Sequence, residues 1–103
     1  MKDLFRVCPL DDLPEGLGKK IRSGKHIIAV FKYNGRVFAL QNACPHQHAD
    51  LAEGYIQDMK LYCRLHHWAF NLEDGTYAFN PDLRLKTYKV IIDNGIVYLD
   101  LNH

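Results

Sequence analysis

Two short boxes, Cys44-Pro45-His46 and Cys63-Arg64-Leu65-His66, constrain this 103-residue chain more than any other feature. Each supplies one thiol and one imidazole, and sixteen residues separate them. Thiolate and imidazole are the side-chain ligands that suit borderline-soft transition metals, so the four residues read as one metal centre. A centre that takes one ligand of each kind from each box suits two metals with different preferences. It also obliges the fold to bring two loops to one point.

The flanking sequence offers a β scaffold. HIIAVFKY, Asn34-Gly35 and RVFALQN form one hairpin pattern, and KTYKVIID, Asn94-Gly95 and IVYLDL form a second. Asn-Gly takes the positive φ angles of a type I′ turn, and the runs on either side are rich in Val, Ile, Tyr and Phe. LFRVCPL predicts another strand. DDLPEGLGKKIRSGK holds three glycines and a proline, which predicts a surface connection with at most one turn of helix. Between the hairpins lies a segment rich in Pro, Gly, Asn, Asp and His that contains both boxes and the short strand candidates YIQD, KLYC and WAFN. The expectation is one domain over residues 1–103, with a second lobe at about 43–82 inserted into a basal β part.

Hydrophobic residues make up 48% of the chain, enough for a compact core, although domains of this size often use a metal as a staple. No apolar run approaches a membrane span and MKDLFRVCPL lacks the pattern of a leader peptide, so a cytoplasmic protein is expected. The third cysteine, Cys8, reads as a buried small hydrophobe. An odd thiol disfavours a disulfide framework and fits a reducing compartment. The net charge of +1 argues against a general nucleic-acid binder. Its distribution is uneven: residues 44–82 carry six acidic and two basic side chains, formally −4, leaving +5 elsewhere. An acidic lobe either steers a basic partner or simply solvates exposed loops.

The two boxes stand in CPHQHADL and CRLHHWAF, followed by NLEDGTY and NPD. In this order of features the chain resembles the Rieske-type [2Fe-2S] ferredoxins over nearly its whole length. It is most similar to the soluble ferredoxin components of bacterial multicomponent oxygenases, the toluene monooxygenase-like kind in particular. The resemblance implies an all-β Rieske iron-sulfur fold, an antiparallel β-sandwich or barrel base with an inserted cluster-binding subdomain. It implies one [2Fe-2S] cluster, with Cys44 and Cys63 on one iron and His46 and His66 on the other. The function it implies is one-electron carriage, without catalysis, between a flavin-dependent reductase and a terminal oxygenase in aromatic hydrocarbon catabolism. The carrier is expected to be a monomer that binds neither nucleic acid nor membrane.

Two ferric ions, two sulfides and two thiolates sum to zero charge, so an added electron is less repelled than in an all-cysteine centre. High-potential members of the family add a disulfide between the boxes and hydroxyl donors after the last ligand. Here Leu65 and the neighbourhood of His48 stand at the extra-cysteine positions, and Trp68 and Phe70 at the hydroxyl positions. Fewer donors to the cluster sulfurs predict a low potential. Asn80-Pro81-Asp82 corresponds to the family's proline-containing loop over the cluster, and Gly54 and Gly75 fall where tight turns are expected.

His67 offers C-x3-H beside the C-x2-H of His66, and His48 offers a further imidazole near the first box; spacing favours His66. Two other functions share the pattern. The small subunit of an assimilatory nitrite reductase has the same fold, and Cys2His2 is also a zinc set suited to a structural module. Retention of all four ligands, and a C-x-H first box unlike that of zinc fingers, favour the carrier.

Overall fold

The computed structural model describes residues 4–44, 49–64 and 68–101. Among these, β1 (Leu4–Pro9), β2 (Gly18–Ser23), β3 (His26–Tyr33) and β4 (Arg36–Gln41) precede the first box. Five short strands follow it: β5 (Tyr55–Gln57), β6 (Lys60–Tyr62), β7 (Ala69–Asn71), β8 (Thr76–Tyr77) and β9 (Asn80–Arg84). The chain closes with β10 (Thr87–Asp93) and β11 (Ile96–Asp100), and its only helical pieces among the described residues are 3-10 turns at Leu10–Asp12 and Leu51–Glu53. The all-β expectation holds. Six strands form one antiparallel sheet in the order β1-β11-β10-β4-β3-β2, and five form a second in the order β5-β6-β7-β8-β9.

Both Asn-Gly hairpins form in the expected register, with Tyr33 opposite Arg36 and Asp93 opposite Ile96. The turn residues take φ of 53° and 74° at Asn34 and Gly35, and 51° and 76° at Asn94 and Gly95. These are the left-handed values that a type I′ turn requires at both central positions.

Side-chain alternation along β3 and β4 builds two cores, one on each face of the sheet. Ile28, Val30 and Ala39 point into a core with Leu13, Val97 and Leu99. Ala29, Phe31, Phe38 and Leu40 point the other way, into a core with Cys44, Leu51, Leu61, Cys63 and Phe70. Burial on both faces explains why IIAVF is a continuous apolar run where a half-exposed strand would alternate. It also places the cysteines: they pack against the back of the sheet's most buried pair of strands.

Two segments differ from the sequence reading. KKIRS within the predicted connection is a full strand, β2, paired with β3 from Gly18 opposite Phe31 to Ser23 opposite His26. It lies at the sheet edge, where Lys19, Lys20 and Arg22 face water and blunt the edge, and such charged composition hides a strand from pattern reading. Asn80-Pro81-Asp82 opens the edge strand β9, while the Asn80 side chain accepts a 3.1 Å hydrogen bond from the Asp82 N–H. Proline is tolerated there because an edge leaves its missing donor unneeded. No helix among the described residues is long and apolar enough to cross a membrane.

Candidate metal centre

Cys44 follows β4 and Cys63 follows β6, so each sits where a strand hands over to a loop. The Cys44 N–H donates to the Ala49 carbonyl at 3.0 Å, and the Cys63 N–H donates to the Trp68 carbonyl at 2.8 Å. Each box is thereby a turn closed five residues after its cysteine. His46 and His66 fall within these two turns in sequence and, with His48 and His67, lie outside the described residues. Among the described residues no group of three metal-ligating side chains gathers, since only the two cysteines of the expected set belong to them.

Cys44 and Cys63 are both about 1% exposed, within one shared core. Two buried cysteines at the mouths of matching loops fit the sulfur half of a [2Fe-2S] donor set. Cys8 is also buried, but it lies in β1, against the other core.

Aromatic rings wall the second turn. Trp68 stacks on Tyr77 with ring centroids 4.3 Å apart, Phe70 is fully buried beneath them, and Phe79 meets Tyr77 edge-on at 5.8 Å. Trp68 and Phe70 thus fill, with rings, positions where hydroxyl donors would raise a potential. Gly75, at φ +78°, makes the turn between β7 and β8. Gly54 serves a different need: a Cβ there would collide with the Tyr62 carbonyl.

Several residues carrying no motif support the site. Asn42, 2% exposed, donates from its amide to Asp50 Oδ1 at 2.8 Å and accepts from the Ala52 N–H at 3.0 Å. Asp50 also meets Lys20 Nζ at 3.1 Å. The Lys20 hydrogen bond, then that from Asn42, holds the Asp50 carboxyl below its ordinary 3.8. The Asp74 carboxyl is also lowered, by hydrogen bonds from the Thr76 N–H and hydroxyl. Arg36 meets Glu73 at 3.4 Å and Arg64 meets Glu53 at 3.2 Å. Among the described residues Asp50, Glu53 and Glu73 are therefore paired, two of them with cations from the six-stranded sheet. The acidic field expected of this region is weakened accordingly.

Residues 3–89 match the family model described as Rieske [2Fe-2S] domain. The chain is 36% identical to the 3-phenylpropionate/cinnamic acid dioxygenase ferredoxin subunit of Photorhabdus laumondii, across 99% of this chain and 97% of that one. It is 32% identical to the ferredoxin component of the alkene monooxygenase system of Xanthobacter autotrophicus, across 90% and 77%. Among solved structures, a complex of reduced oxygenase and oxidised ferredoxin in carbazole 1,9a-dioxygenase matches with a TM-score of 0.84. There the identity is 29%, across 92% of this chain and 99% of that one.

Proposed function

The chain belongs to the Rieske [2Fe-2S] domain family, and from that premise we propose that it is the low-potential ferredoxin of an oxygenase system. Its cofactor is a Rieske-type [2Fe-2S] cluster, and its work is electron carriage rather than catalysis of its own. The cluster supplies a one-electron couple. We assign Cys44 and Cys63 to one iron and His46 and His66 to the other, with the cluster lobe at about residues 43–82 of one domain. The observation that carries this assignment is the pair of buried cysteines at the mouths of two loops closed in the same way.

The electron donor is a flavin-dependent reductase, the acceptor a terminal oxygenase, and the carrier a cytoplasmic monomer. The named relatives serve an aromatic-acid dioxygenase and an alkene monooxygenase, which supports an oxygenase acceptor without choosing its substrate. A low potential is expected because the rings of Trp68 and Phe70 replace hydroxyl donors at these positions, leaving fewer donors to the cluster sulfurs.

Metal and sulfide analysis, with electron paramagnetic resonance (EPR) after dithionite reduction, tests the assignment. Two irons and two sulfides per chain, the low average g of a histidine-ligated cluster, and a potential in the lower half of about −150 to +300 mV are expected. One zinc in a colourless protein would overturn it. Reductase-driven turnover with candidate oxygenases then tests the carrier role, and activity without this protein would count against it.

A further inference from the structure

We infer that the 3-10 turn Leu51–Glu53 is a positioning element that sets the two ligand boxes relative to each other, and that Gly18 and Asn42 hold it in place. The inference rests on the assignment of Cys44 and Cys63 as ligands. No motif marks this turn, yet it reaches toward both boxes and the edge of the six-stranded sheet.

Toward the first box the connection is Asn42, two residues before Cys44. Besides its two side-chain bonds to Asp50 and Ala52, its carbonyl accepts the Leu51 N–H at 2.7 Å. A buried amide satisfied at both ends holds one orientation, because turning it would leave a buried donor and a buried acceptor unpaired. Toward the second box, Glu53 meets Arg64, the neighbour of Cys63, and Gly54 lies against the Tyr62 carbonyl. The residue adjoining Cys63 on each side is therefore in contact with the turn or its cap.

The third side faces β2. A methyl at Gly18 would stand 2.8 Å from Ala52 Cα and 2.7 Å from Phe31 Cε2, and nearer still to the Ala52 carbonyl oxygen. Gly18 is outside the left-handed region, so glycine is needed there for space and not for backbone conformation. Main chain cannot rotate out of the way as a flexible side chain can. An added methyl drives the turn away from β2, and the residues beside both cysteines move with it. Groups one contact removed from a metal's ligands orient those ligands and tune the metal, with effects of about 10- to 100-fold on affinity or activity.

The test uses the full chain carrying Gly18→Ala, and separately Asn42→Asp, which exchanges one donor for an acceptor without adding bulk. Val97→Ala, fully buried in the core that lacks Cys44 and Cys63, supplies a loss of stability unrelated to the turn. Iron and sulfide content, EPR g values, reduction potential, the rate of bleaching under a chelator and Tm are measured for each. Both turn variants should shift the g values and the potential and bleach about tenfold faster, while Val97→Ala lowers Tm and leaves the g values in place. Wild-type g values and potential in Asn42→Asp, or changes in Val97→Ala equal to those of the turn variants, would overturn the inference. Should Gly18→Ala fail to fold, Asn42→Asp decides alone. A wild-type protein without two irons and two sulfides would instead refute the ligand assignment, before any variant is made.

Discussion

His66 and His67 put two imidazoles at adjacent positions, and a ring that binds iron cannot be exchanged for its neighbour without turning the loop. On the C-x2-H spacing, His66→Ala should lose iron and visible absorption on purification, whereas His67→Ala should retain both with nearly wild-type g values. Iron analysis of the two variants checks this, and the reverse result would move the ligand to His67. Phe79 poses the opposite problem, being 82% exposed yet joined through Tyr77 to Trp68, whose carbonyl closes the Cys63 turn. An exposed ring gains little for the fold, but truncating an aromatic anchor in a partner contact commonly costs more than 1 kcal/mol. Phe79→Ala is expected to raise the ferredoxin concentration for half-maximal oxygenase turnover roughly tenfold at unchanged Tm and potential. Ile92→Ala, at another exposed apolar position, should leave all three unchanged. The cysteines were legible in sequence because a thiol beside an imidazole announces its chemistry. Asn42 and Gly18 were not, because their roles consist of contacts with Ala52, distant in sequence and visible only once the chain has folded.

At the scale of elements, the sequence revealed strands where apolar runs flank a recognisable turn. β3, β4, β10 and β11 were legible from apolar runs around Asn-Gly, since both faces of the central pair lie against cores. β2 was hidden by the lysines that protect an edge, although it supplies both Gly18 and the Lys20 that meets Asp50. That ion pair gives the edge strand a measurable pH signature. Asp50 has a lowered carboxyl pKa in the fold, so the unfolded chain binds more protons and stability rises with pH. The contribution is complete above the ordinary value of 3.8 and is lost as pH falls through the lower folded value. Asp50→Asn should therefore lower Tm near neutral pH, and the difference from wild type should shrink as pH falls below the ordinary carboxylate value. Thermal melts of both proteins across that range check the sign. A difference that stays constant with pH would assign Asp50 a role in packing alone.

On the scale of the whole molecule, the two cores have unequal means of support. The core of Ile28, Val30, Val97 and Leu99 is enclosed by strands of five to eight residues joined by tight Asn-Gly hairpins. The core with the cysteines is covered on its far side by strands of only two to five residues, and both thiols lie within it. Short strands hold few ladder hydrogen bonds, so the second sheet depends more on what ties its loops together. A metal centre that binds only the folded arrangement adds its binding free energy to the stability of that arrangement. Removing the cluster should therefore loosen the molecule unevenly. Amide hydrogen exchange of the apo protein is expected to speed up by an order of magnitude or more across Tyr55–Arg84. His26–Gln41 and Thr87–Asp100 should stay protected, because their own core and hairpins remain. Equal loss of protection in both sheets would show that the sheets unfold as one unit and that the cluster stabilises the whole domain. Protection unchanged in both would show that packing of Phe31, Leu61 and Phe70 suffices without metal, leaving the cluster a cofactor that the fold holds but does not need.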